Sequence, residues 1–431
     1  MKISLVVPNR NNLRYFKWMY DSVRKNQGDH EVWICSADDA CSDGTAEHFL
    51  ELAKVDPYFK YITNEGPERV GHTILYDRIV NELVETDLAV IFHCDMYLCP
   101  VALDAIEKLM YSHIAGGDPI SKNAPIIHTK FPNKNRIVSL TRIEPPLHPG
   151  GYEKILWDCG TEPEDFDEVN LLKCLKNPDL FRYGYEPTTD YSKITNGVFA
   201  PWVFWVDEFK EIGGHDKLFA PQSKEDDDIW NRFILNGTEL IQTWEGFVYH
   251  LTCRGNRRNV LEGAENIETD NPEWVEHNMK SARNFVRKWG YFIKHDEWHH
   301  PIVSHKYNIT FVITNATYDM LHHLEIWCDM IAVDLRSDQI IKYIDNEQPN
   351  TKYNLYSRIV GTDSIENCDI IVEIDGNTFA ESDHQNIQNL SDIITQSGEI
   401  GSFELGNLKV QINALTHYEK DLIVVNNDTS N

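Results

Sequence analysis

The sequence predicts an α/β protein: a doubly wound, mostly parallel sheet, then a smaller C-terminal α/β domain. Three observations predict it. Over the first 115 residues or so, apolar runs of strand length alternate with segments of helical period, the order that a parallel sheet with crossover helices requires. The conspicuous polar residues cluster in loops after the strands, where such sheets bind ligands. A hydrophobic content of 42% in 431 residues is enough to bury more than one core.

In chain order, Ile3–Val7 is a continuous apolar run and Leu13–Lys25 has helical spacing. Glu31–Cys35 reads as a strand, Thr45–Lys54 as a helix and Phe59–Thr63 as a strand. Thr73–Glu85 is helical, Leu88–Cys94 is a buried strand, and Pro100–His113 is a helix with proline at its start. Residues 143–192 change character, opening with EPPLHPGG and continuing acidic with few periodic runs. They read as an insertion over the sheet, a lid or an acceptor-side subdomain. From Ile194 the pattern tightens through ITNGVFAPWVFWV, the acidic run Glu225–Asp228, a strand-like FVYHL and a helix near Asn278–Trp289. The boundaries expected are 1–300 for the main domain and 301–431 for the second. There KYNITFVITN, DMIAVDL, DIIVEIDG and NLKVQINAL read as strands, with helices at Met320–Trp327, Arg336–Ile344 and Gln385–Gln396.

The formal net charge is −28, which argues against non-specific binding to nucleic acid or anionic membrane, since both need basic fields. Residues 301–431 hold 7 Lys+Arg against 20 Asp+Glu, so −13 of that charge sits in the second domain. No stretch approaches a membrane span, and the apolar run before Pro8 is too short for a signal-peptide core. The nine cysteines show no CxxC pairs, so they read as buried free thiols of a cytoplasmic, reducing setting.

Four stretches carry candidate chemistry. In SADDACSDGT, Asp38 and Asp39 end a strand and could accept from a nucleobase N–H and ribose hydroxyls; an Asx-turn and helix cap is the other reading. In HCDMY, an apolar strand delivers Asp95 to its carboxyl end, as a ligand for a hard cation such as Mg²⁺ or Mn²⁺ or as a plain helix cap. His93 falls on the same face of an extended segment. His250 ends another strand and is followed by Arg254, Arg257 and Arg258, a grip for a diphosphate. In KEDDDIWNRF, four adjacent carboxylates open an apolar-periodic segment. They either complement the helix dipole or form a site in which crowding raises their pKa values and suits one to proton abstraction. There is no GxxxxGK[ST], no GxGxxG after the first strand, no GxSxG and no HExxH.

The order PNRNN, DDACSDGT, YDRIVN, HCDMY, TNG, IGGHD, EDDDIWNRF and strand-end His resembles the GT-A-fold glycosyltransferases. The first half looks like family 2. The region from Tyr76 to His250 also resembles the family 7 β-1,4-galactosyltransferases, which carry GGEDDDIFNR where this chain has SKEDDDIWNR. The likeness covers roughly residues 3–290, and EDDDIWNRF is its most specific part.

The resemblance implies an inverting, metal-dependent transferase that moves a sugar from a nucleotide-diphosphate sugar, with UDP expected, to a carbohydrate or glycoconjugate acceptor. Asp38 and Asp39 would hold the nucleoside, with Pro8 and Arg10 lining the same pocket and Tyr76 and Arg78 beside the nucleotide. Arg254 and Arg257 would meet the diphosphate. Asp95 matches the last Asp of the DxD motif, a metal ligand, with His250 as a second. His93 stands where the first Asp would be, and as a softer ligand it favours Mn²⁺ over Mg²⁺. Asp226 matches the catalytic base, with Glu225 and Asp227 orienting acceptor or base. Trp202 and Trp230, with Trp205 and Trp244 nearby, are candidates to stack on sugar faces. FAPQSK replaces the family's WGWG, so the sugar is left open. Two other readings stand beside this one: a degenerate carbohydrate-binding relic and a nucleotide-sugar hydrolase. For the C-terminal domain, acceptor recognition, oligomerisation and structural support are all compatible with the sequence.

Overall fold

The computed structural model describes residues 1–114, 126–128, 132–177, 194–266, 269–335, 337–365 and 368–426. The first part of the chain alternates as β1 (Lys2–Asn9), α1 (Leu13–Asn26), β2 (Glu31–Asp39), α2 (Thr45–Val55), β3 (Phe59–Asn64), α3 (His72–Glu82) and β4 (Leu88–Ile91). After β5 (Met96–Leu98) and α4 (Ala102–Met110) come a small antiparallel pair, β6 (Ser112–Ile114) and β7 (Ile126–His128), then β8 (Arg136–Glu144) and β9 (Lys154–Leu156). The unit closes with α5 (Glu168–Leu175), β10 (Ile194–Thr195), β11 (Trp202–Trp205), α6 (Val206–Glu211), α7 (Glu225–Leu235), β12 (Glu239–His250) and α8 (Pro272–Trp289).

The large sheet runs β10-β12-β8-β11-β4-β1-β2-β3, with β5 paired to β12 and β9 to β8. β3, β2, β1 and β4 are parallel neighbours, as are β12, β8 and β9, while β11 lies antiparallel between β4 and β8. The sheet is therefore mixed but mostly parallel. Its inner strands are buried on both faces, which is why Ile3–Val7 and Leu88–Ile91 read as apolar runs; β8 is buried at all nine residues yet carries Arg136, Arg142 and Glu144, which are held in ion pairs.

The second sheet, β15-β14-β13-β16-β18-β17, is built from β13 (Ile309–Thr314), β14 (Met330–Val333), β15 (Ile359–Gly361), β16 (Ile370–Asp375), β17 (Gly401–Leu405) and β18 (Leu408–Ile412). Helices α9 (Tyr318–Leu324), α10 (Asp338–Glu347), α11 (Leu355–Arg358), α12 (Glu381–Gln388) and α13 (Leu390–Ser397) connect them. Its apolar core is separate from that of the large sheet, and Val286 of α8 packs into it. α8 also sends Arg287, with a fully buried side chain, to Glu325 and Glu347 of the second unit.

Several expected boundaries move. The strand expected over Leu88–Cys94 stops at Ile91, because the amide of Met96 turns back to the carbonyl of His93 at 3.3 Å. The chain then returns antiparallel to β12. The helix expected over Pro100–His113 is confined to Ala102–Met110. The single helix expected over Gln385–Gln396 is two, broken at Asn389. Within 143–192, β9 pairs with β8, so part of that region extends the sheet; residues 178–193 lie outside the described residues. All nine cysteines are free thiols, six of them buried. Among the described residues no helix is long and apolar enough to cross a membrane.

Candidate active site

The carboxyl ends of β1, β2 and β4 and the far end of β12 converge on one region, as a doubly wound sheet dictates. There His93, Asp95 and His250 offer ligand atoms that lie within 4.8 Å of one another. The turn after β4 places His93 and Asp95, and β12 ends at His250, whose neighbour Leu251 donates its amide to the Asp95 carbonyl at 3.0 Å. His250 Nε2 lies 3.5 Å from Asp95 Oδ2, while its Nδ1 lies 2.8 Å from Glu144 Oε1. Glu144 ends β8 and is itself held by Arg142 at 2.9 Å and Lys154 at 3.0 Å.

Electrostatics match this arrangement. Burial of His93 outweighs the pull of Asp95 and depresses the imidazole to about 4, so it is neutral, as a ligand must be. Burial would raise Asp95, but His250, His93 and the Arg254 amide prevail and hold it at about 2. Burial would lower His250, yet Asp95 and Glu144 lift it to about 9, so without an ion it is protonated near neutrality, and a bound ion would have to displace that proton. Two imidazoles and an ionised carboxylate suit a borderline divalent ion such as Mn²⁺ or Zn²⁺. The Glu144–His250 bond is the outer-shell carboxylate that fixes a metal-binding imidazole. Replacing Glu144 with Gln is expected to weaken Mn²⁺ binding by about 10–100-fold, measured by calorimetry; unchanged affinity would remove Glu144 from that role.

The four-carboxylate run of α7 separates into two pairs. Positions three and four apart share a helix face, and Glu225, Asp228, Ile229 and Arg232 are all buried. Asp228 is fully enclosed, 2.8 Å from Arg232, 2.7 Å from Lys288 and 2.9 Å from the indole nitrogen of Trp289. Glu225 pairs with His72 at 2.5 Å. Asp226 and Asp227 face the other way, half-buried, and neither has a hydrogen-bond or ion-pair partner among the described residues. Burial, then the charges of Glu225 and Asp227, push Asp226 well above the ordinary carboxylate value. Asp227 rises to about 6, mainly through burial. Ser223 and Lys224 enter the helix with φ of 76° and 70°, left-handed backbone that costs of order 1–3 kcal/mol per non-glycine residue.

Tyr76 links the two groups. Its buried hydroxyl is raised first by burial and then by the charges of Asp226, Glu225, Cys94 and Asp95, so the acidic helix start and the HCD turn act on one side chain. His72, the partner of Glu225, also contributes to lowering His93.

Other expected residues are placed differently. Asp38 accepts from the Cys41 amide at 2.9 Å, an Asx-type turn. Asp39 takes the amides of Val70 and Gly71 at 2.9 and 3.0 Å and the Asn64 side chain at 2.7 Å, closing that loop. The Pro8 carbonyl accepts from the Cys94 thiol at 3.4 Å. Arg10 donates to the Asp39 carbonyl at 2.7 Å and pairs with Glu262 at 3.0 Å.

Three corrections follow. Arg78, two positions from Tyr76, cannot share its helix face; it pairs along the helix with Glu82 at 2.9 Å. The expected diphosphate grip already holds acids, Arg254 on Glu162 at 2.8 Å and Arg257 on Asp270 at 2.8 Å. Trp202 and Trp230, 0% and 5% exposed, are core: Trp202 sits mid-sheet against Phe204 and Phe233, with no face for a sugar.

Sequence reasoning missed Glu144, His72, His295 and His299. Glu144 had a signal, a carboxylate at a strand end in the same manner as Asp95. The histidines had none, since their partners are remote: His295 and His299 exert charge on Asp227, and Trp298 between them packs on Tyr152 at 5.4 Å and Trp244 at 6.3 Å. A cleft of about 800 Å³ adjoins the site, lined among others by Asn11, Arg14, Lys17, Glu162, Arg254 and Arg258.

Fold and site together define an α/β protein with a candidate divalent-ion centre beside an open carboxylate pair. No protein-family model and no curated protein sequence matches the chain. Among solved structures it is similar to TarS 1–349 of S. aureus, at 11% identity and a TM-score of 0.39, over 97% of this chain and 99% of that one. It is also similar to GalNAc-T7 with UDP, GalNAc and Mn²⁺, at 12% identity and a TM-score of 0.39, over 67% of this chain and 51% of the other. A third likeness is to the mannosyltransferase PcManGT from Pyrobaculum calidifontis in complex with GDP-Man and Mn²⁺, at 14% identity and a TM-score of 0.37, over 66% and 61% of the two chains. These are distant likenesses, and the chemistry of the site follows from this chain's own side chains.

Proposed function

We propose that the chain is an inverting, metal-dependent glycosyltransferase of the GT-A kind, using a nucleotide-diphosphate sugar, with UDP the expected nucleotide. One observation carries this: the His93–Asp95–His250 set and an unpaired, high-pKa carboxylate at Asp226 act on the same tyrosine, Tyr76. A transferase needs those two functions side by side, one for the departing diphosphate and one for the acceptor proton.

Asp226 takes the proton from the acceptor hydroxyl as its oxygen forms a bond to the anomeric carbon. The bond from that carbon to the diphosphate oxygen breaks with inversion, and the electron pair leaves on the diphosphate. A base with a raised pKa suits proton abstraction near neutrality better than an ordinary carboxylate. Glu225, tied to His72, keeps a second negative charge beside Asp226 and so maintains its basicity. His93, Asp95 and His250 would hold a divalent ion, which would supply Lewis-acid neutralisation of the diphosphate charge. Trp298, Tyr152 and Trp244 replace Trp202 and Trp230 as the aromatic surface for an acceptor sugar.

The test is calorimetric titration of UDP and of GDP, with and without Mn²⁺, into the native protein and the Asp95→Ala variant. Binding of one nucleotide that needs the metal and disappears in the variant is expected. If neither nucleotide binds with metal present, the transferase reading fails and a carbohydrate-binding relic takes its place.

A further inference from the structure

The two ends of the second unit meet at a cluster remote in sequence from the candidate active site. His305 lies on the segment entering β13, and His417 and Glu419 lie just after β18. Their ligand atoms fall within 4.8 Å of one another. His305 Nδ1 is 2.9 Å from Glu419 Oε1. The imidazoles of His305 and His417 lie face to face, centroids 3.7 Å apart and 16° from parallel, and Tyr307 is edge-on to both.

The backbone around the cluster is tied down from both sides. The other oxygen of buried Glu419 accepts from the Lys306 amide at 3.0 Å, and the Tyr418 amide donates to the Lys306 carbonyl at 2.8 Å. Tyr418 turns its hydroxyl away to Asp369 at 2.7 Å. His417 and Glu419, two positions apart, thereby offer ligand atoms close to one another.

Two donors bound to one ion at 2.0–2.1 Å stand roughly 3.0–3.4 Å apart for angles between square and tetrahedral, close to the His305–Glu419 separation. Rings stacked in this way direct their lone pairs along parallel planes, so sharing one ion requires the exposed His417 ring to turn out of the stack. We propose that His305, His417 and Glu419 form a second, structural site for a zinc-class divalent ion. The ion clips the start of the second unit to its end across more than a hundred residues, the loop length at which a clip constrains the unfolded chain most. The exposed side of His417 leaves the remaining coordination position to water.

Cobalt(II) titrated into the full chain carrying Asp95→Ala, followed by its visible absorption, reads this site apart from the catalytic one. One equivalent is expected to bind. Adding His417→Ala, an exposed position whose loss leaves the fold in place, is expected to weaken it at least about 100-fold, since even outer-shell partners account for 10–100-fold. Zn²⁺ should raise the melting temperature of the Asp95→Ala protein with increasing concentration and leave that of the double variant unmoved. Should Asp95→Ala fail to fold, His417→Ala alone is expected to lose one of two cobalt equivalents. No cobalt bound by Asp95→Ala, or binding untouched by His417→Ala, overturns the proposal and leaves a simple His305–Glu419 ion pair.

Discussion

Replacing Asp226 with Asn is expected to lower kcat/KM for sugar transfer by about 10²–10⁴-fold, the share a positioned general base contributes, while making the protein more stable at neutral pH. Both effects have one cause. Asp226 is raised by burial and by the charges of Glu225 and Asp227, so the fold favours its neutral form. For a carboxylate raised above its unfolded value, that contribution is fully present below the unfolded value and is lost as pH rises through the folded one. At pH 7, well above the unfolded value, the native protein has therefore lost some of that contribution, and Asn, neutral at similar size, is free of the loss. The melting temperature of Asp226→Asn should exceed that of the native protein at pH 7, with the gap closing only as pH falls below the unfolded Asp value of about 3.9, where Asp becomes neutral in both states. The acid limb of the native kcat/KM profile should lie above the ordinary carboxylate range, because burial and the charges of Glu225 and Asp227 raise Asp226, as a property of the interacting carboxylates together. A variant with full activity, or one less stable at pH 7, would falsify the assignment of Asp226 as base.

Arg287→Ala is expected to destabilise the protein by about 3 kcal/mol or more, the lower end of the range for removing one member of a buried ion network. The side chain of Arg287 is fully enclosed. Its Nε lies 2.9 Å from Glu325 and its Nη1 2.8 Å from Asn284 Oδ1, and it also pairs with Glu347. Burial would raise Glu325 and Glu347, and the arginines outweigh it. Truncation leaves two buried carboxylates short of a cation, although Arg358 and Arg283 still reach them at 3.2 and 2.9 Å, which is why the lower end applies. Depressed carboxylates stabilise above their unfolded value, near 4.5, and lose that contribution as pH falls. The difference between native and variant in urea unfolding should therefore shrink on acidification. Because the network ties α8 to the second unit, loss of a single cooperative transition is a further expected sign. A change within about 0.5 kcal/mol, the usual range for surface substitutions, would show that the network carries no net stability.

Residue by residue, the legibility of the sequence followed the range of the interactions involved. β1, β2 and β4 were legible because strands buried on both faces must be apolar throughout, and α1, α2 and α3 because a helix half in the core repeats every three to four residues. The candidate ligands Asp95 and His250 were legible for a related reason: an apolar strand ending in a ligand-type residue marks the carboxyl edge of the sheet. The acidic run of α7 was visible, but not which of its members was open.

The chain by itself thus determined the α/β class, the strand-end positions of its candidate ligands and the carboxylate crowding at Glu225–Asp228. These depend on periodicity and adjacency, which a linear sequence records. Only the tertiary structure decided that Asp228 is spent on Arg232, Lys288 and Trp289, that Glu225 is tied to His72, and that Asp226 and Asp227 are left open. It also decided that Glu144 orients His250, that Trp202 is core, and that Arg254 and Arg257 already hold acids. The physical reason is that a side chain's charge state and exposure are set by the groups packed against it, and here most of those lie far away along the chain. Glu144 and His250 are 106 residues apart and His72 and Glu225 are 153 apart, distances over which no local pattern carries information.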